Sequence, residues 1–216
     1  MVTTAVEDYL KAIYELVREQ GEATTSAMAE RLDVAPASVS GMVKKLAEMR
    51  LVEHTPYRGV ILTPAGRKIA LEVIRHHRLV ELYLAEALGV PWDEVHDEAN
   101  RLEHAISPSV ADRMAAALGN PRVDPHGAPI PDKDGSIATE ATRRLSTALA
   151  EQRVVVAEVI DEDAELLRYL ASIGLVPDVV VEIVGREASG ALTVRIEGAA
   201  HTISRTTAER VFIRDN

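Results

Sequence analysis

The first 63 residues carry three short helical patterns followed by two short apolar runs, an order that few folds accommodate. The apolar positions of the first pattern recur at helical spacing: Val6, Leu10, Ile13 and Val17. Gly21 ends this helix, and Thr25 or Ser26 can cap a short second one. Pro36 suits the first turn of a third helix, where its missing N–H costs nothing. Two short helices joined by a tight turn predict a helix-turn-helix.

The third helix leaves one face polar, small and basic. That face carries Ser38, Ser40, Gly41, Lys44 and Lys45. Small residues at the start of a recognition helix let it approach base edges, and lysines meet phosphates. Residues 51–54 and 60–63 then predict a hairpin whose tip holds Tyr57 and Arg58, which suits a wing lying along DNA backbone. The alternative is a plain three-helix bundle with a hairpin, but helix pattern, hairpin and local charge together favour DNA binding.

The formal net charge of −10 at first argues against a nucleic-acid partner, because lysine and arginine make the phosphate contacts. The charge is uneven, however. Residues 1–75 hold ten basic and ten acidic groups, and within them residues 44–75 hold seven basic groups against three acidic ones. This asymmetry predicts a basic contact surface attached to an acidic part with another purpose.

Composition excludes several kinds of site and compartment. The chain of 216 residues has no cysteine, which rules out disulfides, cysteine-zinc sites, iron–sulfur clusters and a cysteine nucleophile. No apolar run is long enough to span a membrane, and the first residues do not form a signal peptide. We therefore expect a cytoplasmic protein with no membrane partner.

The middle third places ionisable side chains where a helix core is expected. His77 and Glu81 lie four apart on a long helix that starts near Pro64, and a helix predicted over 92–105 carries four polar groups on one face: His96, Asn100, Glu103 and His104. Buried carboxylates are costly unless they are paired or bind metal. Oxygen and imidazole donors without sulfur suit Mn²⁺ or Fe²⁺ better than a tetrahedral zinc site. The other isolated histidines, His54, His126 and His201, are interpreted as structural.

Two other functions remain open on the residues alone. A hydrolytic metal enzyme would need an open coordination position and a general base beyond the ligands, and no added candidate pair is present. A winged-helix regulator that senses an organic ligand would need an apolar cavity instead of a metal.

The last third predicts a small β-domain. Residues 120–150 begin with four prolines in eleven residues and are interpreted as a connection. Five short β-rich runs follow, with a helix over 164–172 between the first two, and glycine turns separate the later runs. The predicted domains are 1–75, a winged helix-turn-helix; 76–140, a helical metal-binding and dimerisation domain; 141–150, a linker; and 151–216, a small barrel. The fold class is mainly α with an all-β C-terminal domain.

Four stretches together resemble the diphtheria toxin repressor/manganese transport regulator family of metal-dependent repressors. They are EDYLKAIYEL (7–16), PYRGVILTPAGRKIA (56–70), HHRLVELYL (76–84) and VHDEANRLEHAIS (95–107). The segment DPHGAPIPDKDG (124–135) is similar to the one after the dimerisation domain of longer members. The resemblance covers nearly the whole chain and implies a homodimer that binds double-stranded operator DNA, no enzymatic activity, and an SH3-like (FeoA-like) C-terminal domain.

The resemblance also implies two metal sites per subunit. The activating position would be formed by Asp8, Asn100, Glu103 and His104. An ancillary site would be formed by His77, Glu81 and His96 with two side chains from the C-terminal domain, for which Asp163 and Glu165 are the choices within the stretch 161–167. Ser38 and Ser40 match recognition-helix positions, and Tyr57-Arg58-Gly59 matches the wing.

Three departures from the family pattern affect this assignment. Asn100 is neutral where members have a thiolate or a carboxylate, so it would bind metal more weakly. Lys11 replaces an acid that short manganese-type members use on the first helix, and Gly41 stands where others carry a side chain that could read a base. Asp8 in place of a thioether, with no cysteine in the chain, favours Mn²⁺ over Fe²⁺. An iron-dependent repressor is the alternative.

Overall fold

The computed structural model describes residues 3–55, 59–138 and 141–216, with the backbone alone at His54 and Thr55. The chain divides into two compact units, residues 1–76 with 131–136 and residues 77–130 with 137–216. Among the described residues, no helix is long and apolar enough to cross a membrane.

The first unit is a winged helix-turn-helix. Its helices are α1 (Thr4–Gln20), α2 (Thr25–Arg31), α3 (Pro36–Glu48) and the beginning of α4 (Pro64–Leu88), and its hairpin pairs β1 (Val52–Thr55) with β2 (Gly59–Leu62). α2 is capped by Thr24, whose hydroxyl accepts from the Ala27 amide, one residue earlier than predicted. α4 begins as predicted, because the Thr63 hydroxyl accepts from the Gly66 amide and proline follows it.

The second unit joins the rest of α4 to two short helices and a sheet. α5 covers Val95–Leu102, a 3₁₀ turn covers Glu103–Ala105, and α6 covers Pro108–Ala117. The predicted helix over 92–105 is therefore too long. At its start Trp92 lies in a turn and packs on the core of the β-domain. At its end Ser107 is held extended before Pro108 and its hydroxyl caps α6.

The C-terminal part is one antiparallel six-stranded sheet in the order β3-β8-β4-β5-β6-β7. Its strands are β3 (Arg143–Arg144), β4 (Arg153–Val159), β5 (Val180–Arg186), β6 (Leu192–Ile196), β7 (Ala199–Ile203) and β8 (Val211–Asp215). Two helices accompany it, α7 (Ala164–Ser172) and α8 (Arg205–Glu209). The predicted fold class, mainly helical with a small β-domain at the end, is confirmed.

Residues 143–148, which the sequence assigned to a linker, are part of this β-domain. Arg143 and Arg144 pair with β8, and Leu145 and Ala148 are fully buried in the sheet's core. This short segment has only two buried apolar residues among polar ones. Two positions are too few to give the hydrophobic periodicity by which a strand is predicted.

The segment 124–128 packs tightly against β4. The Val159 amide donates to the His126 carbonyl, and a Cβ added at Gly127 would lie 2.1 Å from the carbonyl oxygen of Ala157. Only glycine allows the two backbones to approach this closely. This contact fixes the segment that carries Asp124 and His126.

Substituting Gly127 by alanine should therefore destabilise the second unit. Gly127 has a φ of +88°, and Gly119, with φ +78° and open space around its Cβ position, provides a matched control. We expect Gly119→Ala to cost about 1–2 kcal/mol from the left-handed backbone alone. Gly127→Ala should cost about 1–3 kcal/mol more from overpacking. Thermal denaturation measures both, and equal losses would show that the close approach to Ala157 carries no energy.

Candidate metal centre

Four side chains that could bind a metal ion converge inside the second unit. His77 and Glu81 lie one turn apart on α4, His96 comes from α5, and Asp161 follows β4. The His77 Nε2 atom lies 2.9 Å from Glu81 Oε1, and the His96 Nδ1 atom lies 3.2 Å from both Glu81 Oε1 and Asp161 Oδ2. Each residue offers one donor atom, and these atoms all lie within 4.8 Å of one another.

A second group shares Glu81 with the first. Asp124 and His126, both fully or nearly buried, complete a triad with the wholly buried Glu81. Glu81 Oε2, Asp124 Oδ2 and His126 Nδ1 are buried atoms without a hydrogen-bond partner in the described structure, and Asp124 Oδ2 lies 3.5 Å from the Nε atom of Arg78. His126 Nδ1 also lies 3.6 Å from Asp161 Oδ2. The six residues His77, Glu81, His96, Asp124, His126 and Asp161 are called the buried centre below.

The hydrogen bonds of two histidines indicate which ring nitrogen could bind a metal. The Nε2 atom of His126 is 2.7 Å from the Trp92 carbonyl oxygen, which can only accept, so Nε2 donates and Nδ1 is the ring nitrogen left to bind a metal. The Nδ1 atom of His77 is 2.5 Å from the Glu103 carboxylate, and Nε2 faces Glu81. Holding the far nitrogen of a histidine in this way is how proteins orient metal-binding imidazoles.

The protonation of the buried centre follows from the charges of its residues. Burial acts to raise the pKa of Glu81, but the neighbouring His77 lowers it to about 2. Burial acts to lower the pKa of His96, but Asp161 overcomes this and raises it to about 11. The positive imidazole and the negative carboxylates thus stabilise one another at this partly buried position.

The pKa values of Asp124 and Asp161 shift in opposite directions. Burial, followed by the charge of Glu81, raises the pKa of Asp124 to about 7. Burial also acts on Asp161, yet the charge of His96 holds its pKa well below the usual range. Protons on His96 and Asp124 therefore provide part of the positive charge that three carboxylates require. A divalent cation would replace those protons and give the unpartnered atoms a ligand, so the residues present fit a metal ion.

Sequence reasoning brought together three of these six residues. His77, Glu81 and His96 meet as predicted, but the carboxylate beside them is Asp161. Asp163 caps α7 by accepting from two backbone amides at 3.0 Å, and Glu165 is exposed. Because a side chain engaged as a helix cap is oriented towards the helix end, we take Asp161 as the candidate ligand in their place.

The predicted activating position is represented in the second unit by Glu103 and His104. Glu103 is buried, and its Oε1 atom lies 3.2 Å from Nε2 of the half-buried His104. Asn100 is exposed on α5, and Asp8 lies on α1 of the first unit. The role of these four residues as one set of ligands stays a prediction.

The predicted DNA-reading face is exposed. Ser38, Ser40, Gly41, Lys44 and Lys45 are all accessible on α3, whose opposite side buries Val39 and Leu46. A Cβ at Gly41 would meet open space among the described residues, so none of them requires glycine there. Tyr57 and Arg58 lie outside the described residues, and their place on the wing stays a prediction.

Comparisons with known proteins cover this whole architecture. Residues 1–60 match the profile of the iron-dependent repressor N-terminal DNA-binding domain, 63–132 match the iron-dependent repressor metal-binding and dimerisation domain, and 143–215 match the FeoA domain. The iron-dependent repressor IdeR of Mycobacterium leprae is 34% identical over 189 residues, which is 82% of each chain. The chain belongs to the diphtheria toxin repressor/manganese transport regulator family.

Relatives within this family differ in the metal they are named for. The transcriptional regulator MntR of Oceanobacillus iheyensis is 40% identical over 114 residues, which is 53% of this chain and 77% of that one. A solved manganese-dependent transcriptional repressor in complex with manganese is 38% identical, with a TM-score of 0.93, and covers 98% of this chain and 100% of its own. The protein is therefore a metal-dependent transcriptional repressor, and members of this family are not enzymes.

Proposed function

We propose that the protein is a manganese-responsive repressor that binds operator DNA as a homodimer when Mn²⁺ is bound. The observation that carries the metal choice is the donor set of the buried centre, in which six carboxylate and imidazole side chains converge without sulfur. Carboxylate oxygen is a donor that suits Mn²⁺, and softer metals gain most from thiolates that this chain lacks.

The role of the chain's residues in the switch follows from their positions. The buried centre would hold its ion between α4, α5 and the segment after β4, and the predicted activating position would use Asp8, Asn100, Glu103 and His104. A bound divalent cation supplies positive charge and fixed coordination geometry to these carboxylates. Metal controls DNA binding only if it binds the DNA-competent state better than other states, and operator DNA must then tighten metal binding by the same factor.

An iron(II)-dependent repressor is the second candidate. The relatives named IdeR, matched over more than four fifths of this chain, favour it. Imidazole nitrogens bind Fe²⁺ at least as well as Mn²⁺, since affinity rises from manganese to iron at most sites. Selection of Mn²⁺ would then have to come from carboxylate-rich geometry.

Metal-by-metal activation of DNA binding tests the proposal. DNA recovered from a random pool in the presence of Mn²⁺ serves as the probe, and its affinity is measured with chelator, with Mn²⁺ and, without oxygen, with Fe²⁺. We expect Mn²⁺ to tighten binding by about 5- to 150-fold over chelator, the usual range for coupling between sites. A stronger response to Fe²⁺ at buffered free-metal concentrations would establish the iron alternative, and equal affinity under all conditions would contradict metal control.

A further inference from the structure

Glu103 makes contacts on both sides of its carboxylate. Its Oε2 atom lies 2.5 Å from Nδ1 of His77, and its Oε1 atom lies 3.2 Å from Nε2 of His104. Both Glu103 and His77 are almost completely buried. One side chain therefore touches a ligand of the buried centre and a residue of the predicted activating position.

The contact with His77 has a direction. A carboxylate oxygen accepts, so the Nδ1 atom of His77 donates and Nε2 is left facing Glu81 Oε1 and His96 Nδ1 at 2.9 Å and 3.2 Å. A carboxylate bonded to the far nitrogen of a metal-binding histidine fixes the ring and raises the basicity of the coordinating nitrogen. The Glu103 carboxylate makes this kind of hydrogen bond to Nδ1 of His77, on the opposite side of the ring from Nε2.

We propose that Glu103 is a positioning residue for the buried centre and thereby couples its occupancy to the activating position. This rests on the proposed function only in taking both positions as metal sites. Metal on His77 Nε2 strengthens the Nδ1–H donor and holds the Glu103 carboxylate in the orientation in which Oε1 faces His104. By reciprocity, a cation held at Oε1 orients Oε2 for His77.

The single tryptophan of the chain provides a readout confined to the buried centre. Trp92 stacks on His126 with ring centroids 5.3 Å apart, and its carbonyl accepts from the same histidine. Mn²⁺ entering the buried centre should quench its fluorescence. A titration with Mn²⁺ alone, in the full-length protein without DNA, therefore measures affinity at the buried centre separately from repressor activity.

Three variants separate positioning from simple ligation. Glu103→Gln, which keeps the shape but loses the carboxylate, should weaken Mn²⁺ binding at the buried centre by about 10- to 100-fold, the usual effect of losing such a partner. His104→Ala leaves the Glu103–His77 bond in place and should shift this affinity much less. Glu98→Gln on α5, the helix that precedes the 3₁₀ turn of Glu103, is the matched control. Unchanged Trp92 titration in Glu103→Gln would overturn the proposal.

Two spectroscopic measurements guard against a merely structural effect. Co²⁺ at saturation should give different visible absorption bands in Glu103→Gln, because His77 is no longer held as an Nε2 donor, whereas Glu98→Gln should keep the wild-type bands. In wild-type protein labelled with ¹⁵N-histidine and loaded with diamagnetic Zn²⁺, His77 should keep its proton on Nδ1. Metal on Nδ1 would overturn the proposal even if the variant failed to fold, and neither result depends on metal-dependent DNA binding.

Discussion

Replacing Glu81 with glutamine should remove most of the stability that Mn²⁺ gives the protein. Glu81 is wholly buried, and both groups of donors in the buried centre include it. At a free Mn²⁺ concentration of about 100 times Kd, binding stabilises the folded protein by about 2.7 kcal/mol. For a chain of this size that corresponds to a rise in Tm of roughly 5–10 °C.

The variant keeps the shape of the side chain but loses its charge and one strong donor. If affinity falls about 100-fold, the same Mn²⁺ concentration equals Kd and stabilises by only about 0.4 kcal/mol, or roughly 1–2 °C. Differential scanning calorimetry with chelator and with Mn²⁺ measures both shifts. Glu86→Gln, on the exposed side of the same helix, should retain the full rise. A full rise in Glu81→Gln would remove Glu81 from the metal ligands.

Local signals explain why most helices and strands could be predicted from sequence. Pro36 and the pair Thr63-Pro64 begin α3 and α4 as predicted. α7 has the bounds predicted for the helix over 164–172, since apolar periodicity and a flanking cap lie within a few residues of it. Prediction failed where a distant contact replaced a local preference, as at Trp92, which packs on the β-domain instead of extending α5.

The sequence does contain a signal against Asp163, the residue expected to join His77, Glu81 and His96. Asp163 precedes Ala-Glu-Leu at the start of an amphipathic run, which is the position and residue type of a helix cap. Reading it as a cap would have left Asp161, Glu162 and Glu165 as the candidates in that stretch. Spacing alone could not choose between them, because the direction of each side chain depends on how β4 ends.

Asp124 and His126 could not be assigned from their neighbours. They lie in a proline- and glycine-rich segment, where an isolated histidine is expected to be a loop residue. Contacts distant in the sequence bury them, among them the close packing of Gly127 on β4 and the stacking of Trp92 on His126. The structure thus changes the interpretation of His126 from a structural histidine to a candidate ligand, with Nε2 on the Trp92 carbonyl and Nδ1 facing carboxylates.

Neutralising both lysines of the α3 face should weaken binding to DNA of any sequence. Lys44 and Lys45 are exposed on α3. Each phosphate contact contributes about 0.9 to the slope of log affinity against log salt. The double variant Lys44→Gln/Lys45→Gln should therefore lower that slope by about 2, and extrapolation from 1 M to 0.15 M salt gives a loss of roughly 30-fold.

The salt dependence distinguishes direct contacts between the lysines and DNA phosphates from an effect of the protein's net charge. The protein has a net charge of −10, so removing any two positive groups makes it more acidic and could slow approach to DNA. Arg153→Gln, at an exposed position on β4 of the β-domain, changes net charge in the same direction away from α3. Fluorescence anisotropy at several salt concentrations, with saturating Mn²⁺, should show an unchanged slope for Arg153→Gln. An equal effect per charge at both places would mean that α3 acts through overall charge and does not lie on the phosphates.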